Sequence, residues 1–319
     1  RVCDKAQVGW LCFKLLRMIC KDSIMPQYNV LITGAGTGFG REVAFRLAEK
    51  GCKVIAAVEI VAQVAELQRE AEKRNVAQNI SVQKMDVTVQ ADRDRAAAWD
   101  IDLLLNNAGV SEGGCTVDIP EKNLRHQFEV NVLGPILLTQ LVARNMVKKG
   151  KGRIVFMSSV AGLTTDPFTG AYSASKHAVE AFADALNSEL KEFGIDIATV
   201  NPGPFLTGFN DRMFETWKYW EDDPSKRLYD YGKLAFPHKQ MDPEEVYQVT
   251  VSTLLGESKQ YRNIVPKASQ ASIRQQMDEV WERQQHFGDK TRPPLIQAAY
   301  DLKPGTPKDA AAAKAATKP

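Results

Sequence analysis

Three side chains that can share one proton-transfer reaction, a serine hydroxyl, a phenol and an ammonium, lie between Ser159 and Lys176. Tyr172 and Lys176 are four residues apart in the stretch 171–193, whose helical pattern puts them on one face. A lysine close to a tyrosine, with no carboxylate beside it, favours the phenolate. The phenol can then exchange a proton with an alcohol or carbonyl near neutral pH. A solvated surface pair has the same spacing, so the preceding residues must decide between these interpretations.

The elements that must position these side chains are short apolar runs that alternate with helical patterns. Strands are predicted at 28–32, 53–58, 80–85, 101–105, 153–157, 195–200 and 261–265. Helices are predicted at 41–50, 61–74, 91–99, 123–148 and 171–193, with further helical patterns from 242 and at 269–285. Continuous Val, Ile and Leu runs are typical of strands buried on both faces, and such helical crossovers indicate parallel pairing. We therefore predict an α/β fold, a single doubly wound parallel sheet of the Rossmann-like type, spanning residues 27–287.

A glycine-rich sequence, TGAGTGFG, directly follows the first predicted strand and opens the first helix. Glycines let the backbone turn tightly and approach a pyrophosphate, whose charge is favoured by the free amides and the dipole of a helix start. The spacing is TGxxxGxG, because Phe39 stands where the common GxGxxG pattern has its third glycine. A simple strand-to-helix joint is the alternative, but the position favours a dinucleotide site. The predicted contacts are Thr33, Gly34, Gly36, Thr37, Gly38, Phe39 and Gly40.

Two further segments end predicted strands at the same edge of the sheet. Asp86 and Val87 end the third strand, where an adenine can be met. Asn107, Ala108 and Gly109 end the fourth, where small residues and amides can hold the backbone near a ribose. Because ligands of open α/β sheets bind at the carboxyl edge, we predict that all five residues contact the cofactor.

The residue after the second strand bears on the choice between NAD and NADP. That strand ends at Glu59, whose carboxylate can accept a hydrogen bond from a ribose 2′-hydroxyl and would repel a 2′-phosphate. Thr37 in the glycine loop adds no positive charge. NAD is therefore mildly favoured over NADP, with an exposed loop carboxylate as the alternative interpretation of Glu59.

With these segments in place, the chain resembles the short-chain dehydrogenase/reductase family in its compact, single-domain branch, over residues 29–265. The resemblance rests on six motifs in the family's order. They are TGAGTGFG, NNAG, Asn131 in FEVNVLG, Ser159, Tyr172-x-x-x-Lys176 and Asn201-Pro202-Gly203-x-x-x-Thr207.

The resemblance implies roles for the residues that match these motifs. Tyr172 would donate or accept the proton, Lys176 would lower the pKa of Tyr172 and hold the nicotinamide ribose, and Asn131 would complete a water relay. Ser159 would hydrogen-bond the substrate oxygen; it is chosen over Ser158 because the family's serine lies thirteen residues before the tyrosine. The residues implied to flank the nicotinamide are Pro202, Gly203 and Thr207.

The chain departs from the family in the segment between strands three and four. Asp86 and Asn106 are only 20 positions apart, so the helix between them must be short. That puts a familiar helix-pair subunit contact in doubt, although the resemblance implies a homodimer or homotetramer. Glu59 also comes one position later than usual, which keeps the preference for NAD weak.

The segment after Thr207 is rich in aromatic residues and predicts a lid over residues 205–240. Its large apolar side chains include helical spacings and can roof a hydrophobic pocket for an apolar secondary alcohol or ketone. Alternatively, they pack an ordinary lid or a subunit interface. The six side chains are Phe205, Phe209, Met213, Phe214, Trp217 and Trp220.

Composition argues against several other classes of protein. The 41 Lys and Arg against 39 Asp and Glu give no electrostatic case for nucleic-acid binding. Five cysteines and four histidines form no pairing or metal-ligand pattern, so reduced thiols, no metal and a cytoplasmic location are expected. No run of about 18 apolar residues occurs, so we predict no membrane-spanning helix.

The two ends of the chain differ from the rest. Residues 1–26 contain the basic, apolar stretch GWLCFKLLRMIC, which fits extraneous or flexible sequence, a membrane-surface helix or packed structure. The sequence KPGTPKDAAAAKAATKP closes the chain, and we predict a disordered tail over residues 288–319.

These observations favour an NAD(P)-dependent oxidoreductase, an alcohol dehydrogenase or carbonyl reductase that acts on a small-molecule secondary alcohol or its carbonyl. The first alternative is a non-catalytic dinucleotide-sensing regulator with the same fold. A broken Tyr/Lys pair would mark it, and here all four catalytic positions are filled. The second is an epimerase or dehydratase, whose usual TGxxGxxG spacing and larger carboxyl-terminal domain are not found in this sequence.

Overall fold

A seven-stranded, wholly parallel sheet organises residues 27–302, which the computed structural model describes. The strands are β1 (Asn29–Ile32), β2 (Lys53–Val58), β3 (Ile80–Lys84), β4 (Leu103–Asn106), β5 (Gly152–Met157), β6 (Ile195–Pro202) and β7 (Arg262–Val265). Their order across the sheet is β3-β2-β1-β4-β5-β6-β7, so the winding reverses between β1 and β4. The predicted doubly wound, Rossmann-like fold is confirmed.

Ten α-helices connect or follow these strands in the described part of the chain. They are α1 (Gly38–Glu49), α2 (Val61–Lys73), α3 (Gln90–Ala97), α4 (Glu121–Phe128), α5 (Gly134–Lys149), α6 (Gly170–Glu189), α7 (Phe209–Met213), α8 (Glu244–Leu255), α9 (Gln270–Glu279) and α10 (Pro294–Asp301). A π-helical segment, Glu129–Leu133, joins α4 to α5, so the single helix predicted over 123–148 carries a local bulge. Helix α3 has eight residues, as the short spacing between strands three and four predicts.

The two faces of the sheet are buried by different helices. Val30 and Ile32 of β1 face a core shared with α1 and α8, while Leu31 faces a second core shared with α5 and α6. All three side chains are fully buried. Alternation of side chains along a strand therefore buries both faces, which explains the continuous apolar runs of the sequence.

The combined helix Glu121–Lys149 is long and apolar enough, by length and composition alone, to cross a membrane. More than half of its most apolar window is buried inside the protein. Leu138, Val142 and Met146 of α5 belong to the second sheet core. That burial is what a core helix of an α/β fold shows.

The lid over 205–240 has its own apolar core, to which the end of the described chain contributes. Ala299 of α10 is fully buried there, and its carbonyl accepts a hydrogen bond of 3.0 Å from the backbone N–H of Ala235. The prediction of a disordered tail from residue 288 is therefore wrong for α10. The predicted extension at 1–26 and the tail residues 303–319 lie outside the described residues.

Candidate active site

A cavity of about 430 Å³ opens along the carboxyl edge of the sheet. Its walls come from the segments that follow β1 to β5, from the end of β6 and from the start of the lid. It spans the point where the strand order reverses between β1 and β4, which is where open α/β sheets bind ligands.

Most of the residues predicted as binding or catalytic line this one cavity, although they are scattered along the chain. The lining includes Gly34, Gly36, Thr37, Gly38, Phe39, Glu59, Asp86, Val87, Asn107, Ala108, Gly109, Ser159, Tyr172, Lys176, Pro202, Gly203 and Thr207. Thr33, Gly40 and Asn131 are not lining residues, and their contacts show that they support the wall from behind.

The glycine-rich turn needs its glycines for two separate reasons. Gly34 has a φ of +63°, and a β-carbon there would lie 2.7 Å from the Ala108 Cα, so the turn packs directly against the end of β4. Gly38 has a φ of +57°, and a β-carbon there would meet no protein atom within 4 Å. Gly38 is also exposed and lines the cavity, so its backbone is open to the approach of a ligand.

Thr33 and Asn107 clamp the glycine turn to the end of β4. The Thr33 hydroxyl accepts hydrogen bonds of 3.0 Å from the backbone N–H groups of Asn107 and Ala108. The Asn107 side-chain amide donates in return to the carbonyls of Thr33, at 3.0 Å, and Gly34, at 3.1 Å. A β-carbon at Gly40 would collide with this amide. The clamp therefore holds a backbone cradle open, which suits the pyrophosphate and riboses of a dinucleotide.

Glu59 stands at the end of the cavity that the second strand supplies. It is exposed and lines the cavity together with Ile60 and Gln63. At the neighbouring strand, the Asp86 carboxylate accepts from the Thr88 backbone N–H and hydroxyl, at 2.8 and 2.7 Å. Carboxylate and amide groups thus surround the place where an adenosine would lie.

Tyr172 and Lys176 face the cavity from α6, one turn apart. Lys176 is only 5% exposed, so the alternative of a solvated surface pair is wrong. Its Nζ lies 5.7 Å from the centroid of the Tyr172 ring and donates a 2.8 Å hydrogen bond to the Met157 carbonyl. Helical spacing and burial together hold the ammonium beside the phenol.

Burial shifts the pKa values of Tyr172 and Lys176 in opposite directions. It raises the pKa of Tyr172 to about 12, and a hydrogen bond with Ser159 acts the other way. It lowers the pKa of Lys176 to about 8, and the negative charge of Glu180 acts the other way. The sequence predicted a lowered pKa for Tyr172, whereas burial raises it in the protein by itself. The sequence also predicted no carboxylate beside the pair, whereas Glu180 lies near enough to Lys176 to raise its pKa.

Ser159 is tied to the end of β6 and to the turn that directly follows Ser159 in the chain. Its hydroxyl donates to the Pro202 carbonyl at 3.3 Å and accepts from the Ala161 backbone N–H at 3.1 Å. The neighbouring Ser158 hydroxyl is buried and finds no hydrogen-bond partner in the part of the chain that the structure describes. The hydrogen bond with Tyr172 therefore belongs to Ser159, the serine chosen from the sequence.

Asn131 lies in the π-helical segment between α4 and α5, almost fully buried. Its side-chain oxygen accepts from the Val110 N–H at 2.8 Å, while its amide donates to the Val110 carbonyl at 2.9 Å and to the Ser175 hydroxyl at 3.1 Å. Asn131 thereby ties the segment after β4 to α6, the helix that carries Tyr172. Its part in a water relay stays a prediction.

The aromatic lid differs from the predicted roof. Phe205 and Phe209 line the cavity, and the Phe209 ring lies 5.7 Å from the Tyr172 ring. Met213, Phe214, Trp217 and Trp220 belong to the separate lid core and are not among the lining residues. For these four side chains, the alternative of an ordinary packed lid describes the structure.

The lid core is anchored to the body of the protein by a buried carboxylate. The Trp220 indole donates a 2.6 Å hydrogen bond to Glu112, whose other oxygen accepts from the Asn123 amide at 3.0 Å. Glu112 comes three residues after Gly109, the last residue of the NNAG segment. The lid is thus joined to the same loop that supplies the cavity wall.

Sequence reasoning missed several lining residues. Some adjoin recognised motifs. His126 and Val130 are four residues apart and share one face of the predicted helix that carries Asn131, so helical spacing could have paired them. The lining residues not predicted as contacts from the sequence are Ile60, Gln63, Met85, Thr88, Val110, His126, Val130, Met157, Ser158, Asn210 and Arg212.

Comparison with known proteins gives matches over most of the chain. A family model described as short chain dehydrogenase matches residues 28–218. The chain is 35% identical to an uncharacterized oxidoreductase, YusZ, of Bacillus subtilis over 226 residues, which cover 69% of this chain and 80% of that protein. It is 32% identical to a 3-amino-tetrahydro-pyrrolizinone reductase of Xenorhabdus hominickii over 217 residues, covering 66% and 74% of the two chains.

A solved structure has the same fold over nearly its whole length. This is a short chain dehydrogenase/reductase from Burkholderia phymatum in complex with NAD, with a TM-score of 0.71 and 26% identity. The likeness covers 84% of this chain and 98% of that one.

Proposed function

This chain belongs to the short-chain dehydrogenase/reductase family of oxidoreductases, and on that premise we propose that it transfers a hydride between NAD or NADP and a secondary alcohol or its carbonyl. One observation carries the proposal. Ser159, Tyr172 and Lys176 stand on the wall of the same cavity that the glycine turn lines, so a bound dinucleotide and a substrate oxygen can meet there.

The chain's own residues supply the proton chemistry of this reaction. The nicotinamide, when bound, supplies the hydride to the carbonyl carbon in the direction of reduction. Tyr172 donates its proton to the carbonyl oxygen as negative charge develops there. The Ser159 hydroxyl turns from the Pro202 carbonyl and donates a hydrogen bond to the same substrate oxygen. The phenolate left on Tyr172 is stabilised by the nearby ammonium of Lys176.

The shifted pKa values fit the direction of reduction. A phenol with a pKa of about 12 carries its proton throughout the neutral range, and Lys176, with a pKa of about 8, is mostly charged below pH 8. We therefore expect carbonyl reduction to decline as the pH rises above about 8, because the ammonium that stabilises the phenolate is lost.

We propose NAD as the preferred cofactor. Glu59 and its neighbours Ile60 and Gln63 line the end of the cavity at the second strand, and none of them is a lysine or arginine that could pair with a 2′-phosphate. A carboxylate there instead suits the 2′-hydroxyl of NAD.

Removal of the Glu59 carboxylate tests this preference. In Glu59→Ala we expect the ratio of kcat/KM for NAD over NADP to narrow by roughly tenfold, the equivalent of about one hydrogen bond. Glu72→Ala is the control, since it removes an exposed carboxylate from α2 that does not line the cavity. Equal ratios in wild type and Glu59→Ala would show that Glu59 does not select the cofactor.

We propose that the substituents next to the reacting carbon of the substrate are apolar. Phe209 packs against Tyr172, and Val110 and Met157 line the same cavity. These side chains favour an apolar substituent next to the carbonyl through burial of its surface. His126 and Arg212 also line the cavity and could bind a polar group elsewhere on the substrate.

A turnover screen tests the proposed function. Purified protein with NADH or NADPH would be mixed with varied ketones and aldehydes, and with secondary alcohols for the reverse direction, while absorbance of the reduced cofactor is followed. In Tyr172→Phe we expect kcat to fall by about 10²–10⁴-fold with the dinucleotide Kd within about twofold. Tyr219→Phe is the control, because Tyr219 is 82% exposed and does not line the cavity.

Two results would contradict the proposal. Turnover in Tyr172→Phe close to that of the wild type would exclude the phenol as proton donor. Tight dinucleotide binding without turnover of any substrate would instead favour the dinucleotide-sensing alternative.

A further inference from the structure

A carboxylate that the proposed reaction does not use is buried behind the catalytic pair. Glu180 lies on α6 four residues after Lys176, so both side chains share one face of the helix. Glu180 is 6% exposed and Lys176 is 5% exposed. Acidic side chains are rarely buried to this degree without partners, because an ionised carboxylate loses its hydration.

The partners of Glu180 come from the two strands at the end of the sheet. Its Oε2 accepts from the Arg262 guanidinium of β7, at 2.8 Å from Nη2 and 3.2 Å from Nε. Its Oε1 accepts a 2.6 Å hydrogen bond from the side-chain amide of Asn201 in β6. These contacts satisfy both carboxylate oxygens of Glu180 in the interior, and Arg262 supplies the opposite charge.

Asn201 transmits the position of this carboxylate to the catalytic serine. Its amide donates one hydrogen to Glu180 and the other to the backbone carbonyl of Ser159, at 3.1 Å. Its side-chain oxygen accepts from the Thr199 hydroxyl at 2.9 Å. Asn201 is fully buried, and these bonds leave it one amide orientation. The carboxylate of Glu180 thereby helps to decide where the Ser159 backbone lies.

The same carboxylate acts on Lys176 through its charge. The Nζ of Lys176 donates its hydrogen bond to the neutral carbonyl of Met157, and the negative charge of Glu180 raises the pKa of Lys176 against the effect of burial. The other titratable or charged groups around Glu180 are Arg262, Asp184 one turn further along α6, and Tyr261, whose pKa burial raises to about 12. Asp184 is exposed, so solvent screens its charge more strongly.

We propose that Glu180 is a positioning residue for the hydride-transfer reaction. Held by Arg262, its carboxylate keeps Lys176 in the ammonium form and orients Ser159 through Asn201. The inference rests on the proposed function, but its first test needs neither a substrate nor a cofactor. A merely structural ion pair would stabilise the fold and leave the titration of Lys176 unchanged.

The first test measures the titration of Lys176 directly. Acetic anhydride would label the folded, cofactor-free protein at a series of pH values, and mass spectrometry would give the extent of acetylation at Lys176. In Glu180→Gln, which keeps the side-chain volume, we expect the midpoint to fall by about half a pH unit or more, a threefold or larger change in the ratio of charged to neutral lysine. Asp184→Asn is the matched control and should leave the midpoint unchanged.

The second test follows catalysis by the substrate that the turnover screen identifies. The pH at which kcat/KM for carbonyl reduction declines should fall in Glu180→Gln by the same amount as the labelling midpoint. Thermal unfolding and NADH binding of each variant would be measured alongside. A lower melting temperature with an unchanged labelling midpoint would overturn the inference, as would an equal shift in Asp184→Asn.

A second variant serves if Glu180→Gln does not fold. Arg262→Gln removes the cation that neutralises Glu180, from a side chain that is 36% exposed. Lys176 then experiences more of the negative charge of Glu180, and we expect the pH midpoint of Lys176 labelling to rise. A midpoint that stays the same or falls would contradict the inference. Absence of turnover in the wild type would count against the proposed function alone, since the labelling result stands without it.

Discussion

At the scale of the residue, the candidate site holds two ionisable groups whose neutral forms are favoured by burial. The pKa of Tyr172 lies near 12 instead of 10.0, and that of Lys176 near 8 instead of 10.5. Near neutral pH the phenol therefore keeps its proton, while Lys176 stays charged with a smaller margin than a lysine in water. The pair is suited to donate one proton to a substrate oxygen and to stabilise the charge that this leaves behind.

This arrangement has a cost in stability that follows from the sign of the lysine shift. In the unfolded chain Lys176 titrates near 10.5, so below about pH 8 folding must bury an ammonium. The free energy of unfolding should rise with pH between about 8 and 10.5, where the unfolded chain binds more protons than the folded one. The shift corresponds to roughly 3 kcal/mol at neutral pH.

Replacement of the buried lysine tests this account. We expect Lys176→Met to abolish turnover and to raise the free energy of unfolding at pH 7 by about 1–3 kcal/mol, since the apolar side chain carries no charge to desolvate. Urea unfolding at pH 7 and pH 10 would measure the free energy of unfolding of both proteins. The extra stability of Lys176→Met over the wild type should be smaller at pH 10. A loss of stability at pH 7 would show that the hydrogen bond to Met157 outweighs the burial of charge.

At the scale of the element, the joint between β1 and α1 forms the backbone cradle that we propose for the cofactor. The turn packs against β4 through Gly34, and the Thr33–Asn107 clamp fixes the separation of the two strand ends. Gly38 contributes backbone that no protein side chain covers. The glycines thus serve two requirements, close packing below the turn and open space above it.

A pair of glycine variants separates these requirements. Gly38 and Gly150 have similar backbone angles, φ of +57° and +65°, and a β-carbon at either would meet no protein atom within 4 Å. We expect Gly38→Ala and Gly150→Ala each to cost about 1–2 kcal/mol of unfolding free energy because of the left-handed backbone. Only Gly38→Ala should also weaken NADH binding, by tenfold or more, because its methyl group is added at the cavity wall, where the backbone would approach the cofactor. Equal NADH affinity in the two variants would contradict the assignment of the cradle.

The π-helical segment is the other element that builds the site. A single extra-wide turn at Glu129–Leu133 carries Asn131, whose side chain joins the loop after β4 to α6. Such segments are frequent at functional sites because they redirect a side chain without ending the helix. Here it places Asn131 directly behind Gly109, whose β-carbon would lie 3.4 Å from the Asn131 side-chain oxygen.

At the scale of the whole molecule, the lid is held by parts of the chain that are far apart in sequence. The Trp220 indole donates a hydrogen bond to Glu112, and the backbone N–H of Ala235 donates one to the carbonyl of Ala299 in α10. The first link reaches the loop after β4, and the second reaches the end of the described chain. The lid therefore packs as part of the folded body, with Phe205 and Phe209 at the cavity.

The role of α10 can be measured with a buried and an exposed substitution on the same helix. In Ala299→Glu we expect a loss of about 2–4 kcal/mol of unfolding free energy, because a carboxylate would enter the lid core. The KM for substrate should rise as the lid loosens. Gln297→Glu is the control, since Gln297 is exposed. An Ala299→Glu protein as stable as this control would show that α10 does not hold the lid.

The fold and the cofactor side of the site were largely predictable from the sequence. Strand runs such as Lys53–Val58 and the glycine turn are local patterns, because a few neighbouring residues determine their backbone geometry. The six motifs also predicted which scattered segments meet at the sheet edge, since the carboxyl ends of parallel strands must lie together. The roles of Asn131, Ser159, Tyr172 and Lys176 stay predictions until the variants are measured.

What the sequence by itself determined is the architecture and the identity of the groups at its edge. Only the tertiary structure decided that Glu180 is buried, with Arg262 more than 80 residues away in the chain as its partner. It also decided that Trp220 packs into the lid and that α10 covers it. The physical reason is the same in each case. Burial and long-range contacts set the charge state and the packing of a side chain, and neither is encoded in the spacing of neighbouring residues.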